Sequence, residues 1–428
     1  MLTQSYFNRL ISILCLFFGV YIIVPGYIAI PMGFFYLTMD RLILILLLLY
    51  WIFGLLFLKL VRNTLMRSLK ANKAITYLII CFLFLNLIAV YNSLDFETSL
   101  KRYINFLLYV ISSYFVVLSI PLQKNHLKKI GFTFLFSSII LIAISILEII
   151  NKENVFTYFL HNTNLTEYQE ADLLSKMRSD TRRIQASFAN PLTYGQFIIM
   201  IIPILLFFRK IISKKKWIWY VTILSLGALT FMIKSRAATL ILFLIILYGL
   251  YYFFFITKIK FSSKILVFLL CFLLGLVVFD LINHSIVADF FGGESLMSDD
   301  NRLQQFILAG PLISENIWSG YGFGMGAEVL DYGSLGRANG TIDNYFLTII
   351  LDSGILTLIT FIILCITIFS KYFKIKKHNK FLLVGLIFFI VNLLSLSVTE
   401  IHPIFYFFLA LLLKLDHKLK IYYGYNPS

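Results

Sequence analysis

Six arginines, Arg178, Arg182, Arg183, Arg236, Arg302 and Arg337, fall in or beside the hydrophilic stretches of an otherwise apolar chain. A guanidinium fork binds phosphate oxygens in pairs, so such a set suits a phosphate or diphosphate ligand. Pairing with nearby acids such as Asp172 and Asp180 is the plainer role. Arg236 has no acid close to it in sequence; Ser235 and two alanines flank it. Asp343 stands where a hydrophilic stretch gives way to an apolar one, as either a helix-terminus acid or a general base for a hydroxyl substrate. Glu400 and His402 occupy a short polar turn between the last two apolar segments and are further candidates. Gly320, Gly322 and Gly324 alternate with bulkier residues. They could cradle an anion through backbone N–H groups, make a tight turn that returns the chain to the membrane, or do both. No lysine and hydroxyl residue follow them as in a P-loop. Neither a zinc-binding His/Cys set nor a serine-hydrolase elbow is present, so no metal and no cofactor is expected.

The elements that position these residues are set by composition. The chain has 428 residues, 60% hydrophobic and only 14% charged, whereas a soluble domain is about a quarter charged. Lipid is therefore the expected solvent, and about 20 apolar residues span it as a helix. Twelve apolar segments run at about 11–31, 41–60, 74–91, 104–120, 129–150, 193–208, 217–233, 237–256, 263–281, 342–369, 381–397 and 401–415. The last pair is short enough to be a re-entrant hairpin. No small-residue cleavage site follows the first segment, which reads as a retained span rather than a signal peptide. Cys15, Cys81, Cys271 and Cys365 all fall in apolar segments and read as small hydrophobes.

Charge gives the orientation. The formal net charge is +16, which in a soluble protein would favour nucleic acid. Here the termini and one set of alternate turns hold 25 of the 37 basic residues and a single acid, Asp416. By the positive-inside rule that side is cytoplasmic, with both termini, and no nucleic-acid partner is expected. The expected fold is thus an all-α integral membrane protein, one polytopic domain of about 12 transmembrane helices. Two long extracytoplasmic loops, 151–192 and 282–341, carry aromatic residues among their charges and are expected to form short helices on the outer surface. Loops longer than about 15 residues are usually functional or disordered.

Three motifs occur in order on this topology: the run from Arg183 to Pro191; Lys234, Ser235 and Arg236 ahead of an apolar span; and Arg302, Trp318 to Gly324, Asp343 to Leu347 and Gly354. Together they resemble the O-antigen polymerase and ligase superfamily, mainly over 180–370. The resemblance implies an inverting glycosyltransferase of the cytoplasmic (inner) membrane that works on the extracytoplasmic face. Its donor is a glycan on a polyprenyl diphosphate. A polymerase joins lipid-linked repeat units into O antigen, capsule or another exopolysaccharide, with a chain-length regulator as a possible partner; a ligase moves the chain to lipid A core. Ligases place a histidine where this chain has Asp343, so the Wzy-type polymerases are the nearer likeness. The expected roles follow the charges. Arg236 and Arg302, assisted by Arg182 or Arg183, stabilise the leaving diphosphate; Asp343 is the first candidate base, with Glu400 and His402 behind it. The alternative of another class is a flippase of lipid-linked sugars. Transporters usually carry ionisable groups in mid-span, and the charged residues here read as lying at span ends and in loops.

Overall fold

An apolar run in lipid has one way to satisfy its own backbone polar groups without neighbours, the α-helix. In the computed structural model, residues 2–31, 36–157, 177–178, 181–212, 216–251, 294–330, 342–375, 379–394 and 401–422 are described. They are predominantly helical: α1 (Leu2–Ile23), α2 (Met39–Phe57), α3 (Lys59–Ala71), α4 (Lys73–Tyr91), α5 (Phe96–Val110), α6 (Val116–Ser119), α7 (Lys124–Asn151), α8 (Pro191–Ile211), α9 (Lys216–Met232), α10 (Arg236–Tyr251), α11 (Glu294–Glu315), α12 (Gly326–Val329), α13 (Tyr345–Lys374), α14 (Lys380–Asn392) and α15 (His402–Tyr422). A π-helical turn, Ile111–Phe115, joins α5 to α6. Two small antiparallel hairpins complete the set, β1 (Ala29–Pro31) with β2 (Tyr36–Thr38), and β3 (Met177–Arg178) with β4 (Thr181–Arg182).

Among the described residues, seven stretches are helices long and apolar enough to cross a membrane: α1, α2, α4, the 96–119 helix, α7, α8 and α13. The apolar helices α9, α10, α14 and the start of α15 are shorter. Helices thus occupy eleven of the twelve apolar segments, and the segment at 263–281 lies outside the described residues. The chain is a multi-pass helical membrane protein. Exposed leucines, isoleucines and phenylalanines such as Leu42, Leu49, Phe53 and Phe57 on α2 form a lipid-facing surface. At the centre runs α8, buried along nearly all its length. It starts on a side-chain cap, Asn190 Oδ1 accepting from Leu192 N–H at 2.9 Å, with Pro191 opening the helix.

The two ends of the bundle differ. At one end α1 meets the start of α7, with His126 Nε2 2.9 Å from Asn8 Oδ1, and Gln4 bonding Gln123 at 3.1 Å. Trp51 donates to Ser119 at 2.9 Å there, and the buried Lys414 ammonium, counted among the terminal charges in the sequence, donates to the Leu118 carbonyl. The turn after α2, expected to be a bare topology signal, is the basic helix α3, with Leu60 and Met66 exposed beside Lys59, Arg62 and Arg67. A basic amphipathic helix of this kind lies naturally at a membrane interface.

The other end gathers the long connections. Described parts of 151–192 hold the β3–β4 hairpin, and the described part of 282–341 holds α11, which at 22 residues is not a short helix, and the one-turn α12. The helix α5 begins here on Asp95, whose carboxylate accepts from Thr98 N–H (3.1 Å) and Thr98 Oγ1 (2.6 Å). Those bonds hold its carboxyl below the ordinary range.

The tenth apolar segment is not one continuous helix. Gly354 has φ +77° and ψ 178°, which breaks α13 nine residues in. The freed groups pair with the glycine run: Tyr321 N–H donates to Leu351 O (2.8 Å), Gly322 N–H to Asp352 O (2.9 Å), and Ile355 N–H to Ile317 O (2.8 Å). A Cβ on Gly354 would meet the Trp318 carbonyl, and one on Gly320 would meet the Asp352–Ser353 peptide. The break and the loop that mends it therefore need glycine at both positions.

Two outcomes follow. The variant Gly354→Ala combines a strained φ, worth about 1–3 kcal/mol, with a backbone collision, and should melt several degrees lower in detergent; an unchanged midpoint would mean α13 is unbroken. For the orientation, single cysteines at Asn63 and Asn92 in a cysteine-free background should behave oppositely. An impermeant maleimide should label N92C in intact spheroplasts and N63C only after permeabilisation.

Candidate functional site

The loop-rich end encloses a cavity of about 600 Å³, within the usual size range of ligand sites. Its walls come from five places: the end of α1 and the β1–β2 hairpin (Tyr21, Tyr27, Thr38), the start of α2 (Asp40, Arg41), α4 and α5 (Asn86, Arg102, Asn105, Tyr109), the 187–189 turn, and the glycine run with the first turns of α13 and α15 (Phe323, Tyr345, Asp352, His402, Tyr406).

The glycine run is tied down on all sides. Leu94 N–H donates to Tyr321 O at 3.2 Å and Ser99 Oγ to Phe323 O at 3.1 Å. Arg102 donates to the Gly324 carbonyl and pairs with Glu328 at 2.6 Å. Five of the seven N–H groups from Gly320 to Gly326 are taken by acceptors within the protein. One of these acceptors is a carboxylate: Gly326 N–H donates to Asp352 Oδ1 at 2.6 Å. Asp352 thus sits on this run, which turns at Gly320, Gly322 and Gly324, each with positive φ. Ser353 Oγ donates to Asn86 Oδ1 at 2.7 Å, fixing the broken helix to α4.

Asp343 and Arg302 come from adjoining elements. Asp343 N–H donates to Gln305 Oε1 at 3.0 Å, and Gln305 lies three residues after Arg302 on α11. Residues three apart share a helix face. The cap of α13 is Asn344, whose Oδ1 accepts from Phe346 and Leu347 N–H (2.9 and 3.1 Å). Capping is therefore not the task of Asp343, which lies between two cavity-lining residues, Ile342 and Tyr345.

The two upstream motifs also meet. Arg183 donates through Nε to the Ile233 carbonyl at 3.0 Å, three residues before Arg236 opens α10. Glu148, read from sequence only as a residue near a span end, holds this arm. Its buried carboxylate accepts from Gln185 N–H (3.2 Å) and Ala186 N–H (2.9 Å), where Ala186 has φ +51°. Asn154 adds a bond to the Ala186 carbonyl at 2.8 Å, and Ser187 Oγ one to Ile22 O at 2.6 Å. The side chains of Arg182, Arg236 and Arg302, and all of Glu400, lie outside the described residues.

His402 opens α15, 5% exposed, and lines the cavity. Its ring meets Tyr345 edge-on at 4.8 Å and Phe389 at 5.9 Å, between centroids. Neither ring nitrogen has a hydrogen-bond partner among the described residues.

Sequence reasoning missed Asp40, Arg41, Arg102 and Asp352. Asp352 could have been found: it is an ionisable residue inside an apolar segment, which is unusual enough to mark a site. It is a mid-segment exception to the reading that charge lies almost entirely at span ends and in loops. The structure places it at the helix break, beside the loop-rich end. Arg41 and Arg102 had no such signal; each sits among residues that read as the edge of an ordinary span.

Residues 220–362, about a third of the chain, match the family described as O-antigen ligase. The superfamily resemblance drawn from the motifs holds over this stretch, which contains Arg236, Arg302, the glycine run, Asp343 and Gly354. No curated protein matches the chain.

The Glu148 anchor is testable. In Glu148→Leu two buried N–H groups lose their acceptor, at about 1–3 kcal/mol each. The melting midpoint in detergent should fall clearly, with Glu148→Gln, which keeps one carbonyl oxygen, in between. Equal midpoints for all three forms would show that the 183–187 arm does not depend on this carboxylate.

Proposed function

We propose that this protein is a glycosyltransferase of the cytoplasmic membrane that polymerises polyprenyl-diphosphate-linked oligosaccharide repeat units on the extracytoplasmic face. The carrying observation is the match of 220–362 to the O-antigen ligase family, over the elements that hold Arg236, Arg302 and Asp343. Three further features support it. Arg183 reaches the turn before Arg236; α11 brings the face of Arg302 and Gln305 to Asp343; and a ligand-sized cavity lies beside these elements.

In the proposed step a hydroxyl oxygen of the acceptor sugar attacks C1 of the donor glycan from the face opposite the diphosphate. The new C–O bond forms as the bond from C1 to the diphosphate oxygen breaks, inverting the anomeric centre. The hydroxyl proton passes to the Asp343 carboxylate acting as general base. The electron pair leaves with the diphosphate, whose growing charge is met by Arg236 and Arg302, with Arg182 or Arg183 beside them. Fixed cations in a partly dry cleft stabilise such charge more strongly than water does.

A second reading is favoured by the family's own description: an O-antigen ligase that transfers the finished chain to lipid A core. Against it stands Asp343, at the position where the ligases carry histidine.

Purified protein in liposomes with lipid-linked repeat units should lengthen glycans without any ion gradient. The variants Arg236→Ala and Arg302→Ala should lose at least about two orders of magnitude in rate while staying in the membrane. Full-length products from both variants would refute the arginine mechanism. Transfer to lipid A core without lengthening would replace the polymerase by the ligase.

A further inference from the structure

The cavity differs in character from the arginine elements beside it. Its charges are largely matched within the protein. Asp40 accepts from Tyr109, Arg102 pairs with Glu328, and Asp352 receives the Gly326 N–H. A diphosphate would find two carboxylates in these walls, set against Arg41 and an Arg102 already engaged by Glu328 and the Gly324 carbonyl. A lipid tail would strand Asn105 and His402 against hydrocarbon, at a desolvation cost. What suits such walls is a neutral ligand with many hydroxyls, because each hydroxyl both donates and accepts. Aromatic rings complete the lining, among them Tyr21, Phe106, Phe323 and Tyr406. They offer apolar faces to the C–H side of a sugar ring.

One side chain points to an absent partner. His402 is buried, lines the cavity, and has no hydrogen bond to either ring nitrogen among the described residues. Buried polar groups in native structures nearly always have a partner. A neutral imidazole can donate from one nitrogen and accept at the other, which is what adjacent ring hydroxyls require. The cavity also adjoins the arm that carries Arg183. Ser187, Phe188 and Ala189 line it, four to six residues beyond Arg183.

We infer that this cavity is a sugar subsite. It takes an uncharged pyranose ring of the lipid-linked glycan, with His402 and Asn105 bonding its hydroxyls, while the diphosphate stays at the arginine elements. The inference rests on the glycosyl-transfer reading above and names where the sugar of that reaction sits. The ring comes from the acceptor repeat unit or from the donor chain; its chemistry is the same in both.

The test is binding to purified full-length protein in nanodiscs by three probes: bare undecaprenyl diphosphate, the same lipid carrying one repeat unit, and the same lipid carrying polymer. Wild-type protein should bind at least one sugar-bearing lipid about tenfold more tightly than the bare lipid. His402→Phe, which keeps the ring and removes both nitrogens, should bring that preference to within about twofold while bare-lipid affinity is unchanged. Asn105→Ala, at a half-exposed position, is the second variant should the first misfold, and should reduce the preference likewise. A preference for the single-repeat lipid assigns the acceptor; one confined to the polymer-bearing lipid assigns the donor. Retention of the full preference by a folded His402→Phe and by Asn105→Ala overturns the sugar subsite. Failure of the bare lipid to bind, or binding untouched by Arg236→Ala, would instead sink the glycosyl-transfer reading on which it rests.

Discussion

A helix in hydrocarbon cannot be broken unless other protein groups take the hydrogen bonds it gives up. The break at Gly354 is the constraint on which the loop-rich end is built. Three backbone bonds from Ile317, Tyr321 and Gly322 replace the missing helical ones. They require the loop to lie flat on the helix, and that approach is open only where Cβ atoms are missing, at Gly320 and Gly354. The loop in turn is held on α5 through Leu94, Ser99 and Arg102. One non-helical residue thus commits the N-terminal helices, the glycine run and α13 to one another, and the cavity is the space they leave between them.

That arrangement also explains the charges. Asp352 lies two residues before the break, where the helix no longer supplies its usual neighbours and loop N–H groups can turn toward a carboxylate. Arg102, with Glu328 as partner, closes over the Gly324 carbonyl from the other side. These groups fasten the loop. On the proposed reading, the work on an external anion falls to the arginines of the 183–236 arm and of α11. The same economy of roles appears at Glu148, which orders the 185–186 backbone and so sets where Arg183 can reach.

The helices were legible because the signal for them is a long apolar run; the alternation of basic turns supplies only an expected direction for them. Even the weak last pair of segments forms helices, α14 and α15, the second opened by His402. The break in α13 was not legible. A glycine in a long apolar segment is ordinary, and only the distant 318–322 loop accounts for the positive φ of Gly354. The meeting of Arg183 with Ile233 was half legible: both motifs could be singled out, but nothing in either announces that a buried glutamate 35 residues upstream of Arg183 orients it. Asp40 and Arg41 were lost for a different reason. A charged pair at the start of an apolar run looks like an interfacial anchor, and only the β1–β2 hairpin and α5 reveal that it faces a cavity.

The stretch that matches the O-antigen ligase family supplies only part of the cavity wall. Within 220–362 lie Phe323, Gly324, Tyr345 and Asp352; Asp40, Asn86, Arg102, Asn105 and Tyr109 come from helices before it, and His402 and Tyr406 from the helix after it. On the proposed reading this division has a physical sense. Diphosphate departure makes the same electrostatic demand for every lipid-linked glycan, so the elements that meet it can be shared across a family. Sugars differ in the direction of each hydroxyl, and a site for them must differ in the placement of single donors and acceptors. Helices outside the shared stretch can shift those groups without disturbing the break at Gly354, because the backbone bonds that mend it lie between 317 and 355, inside the shared stretch.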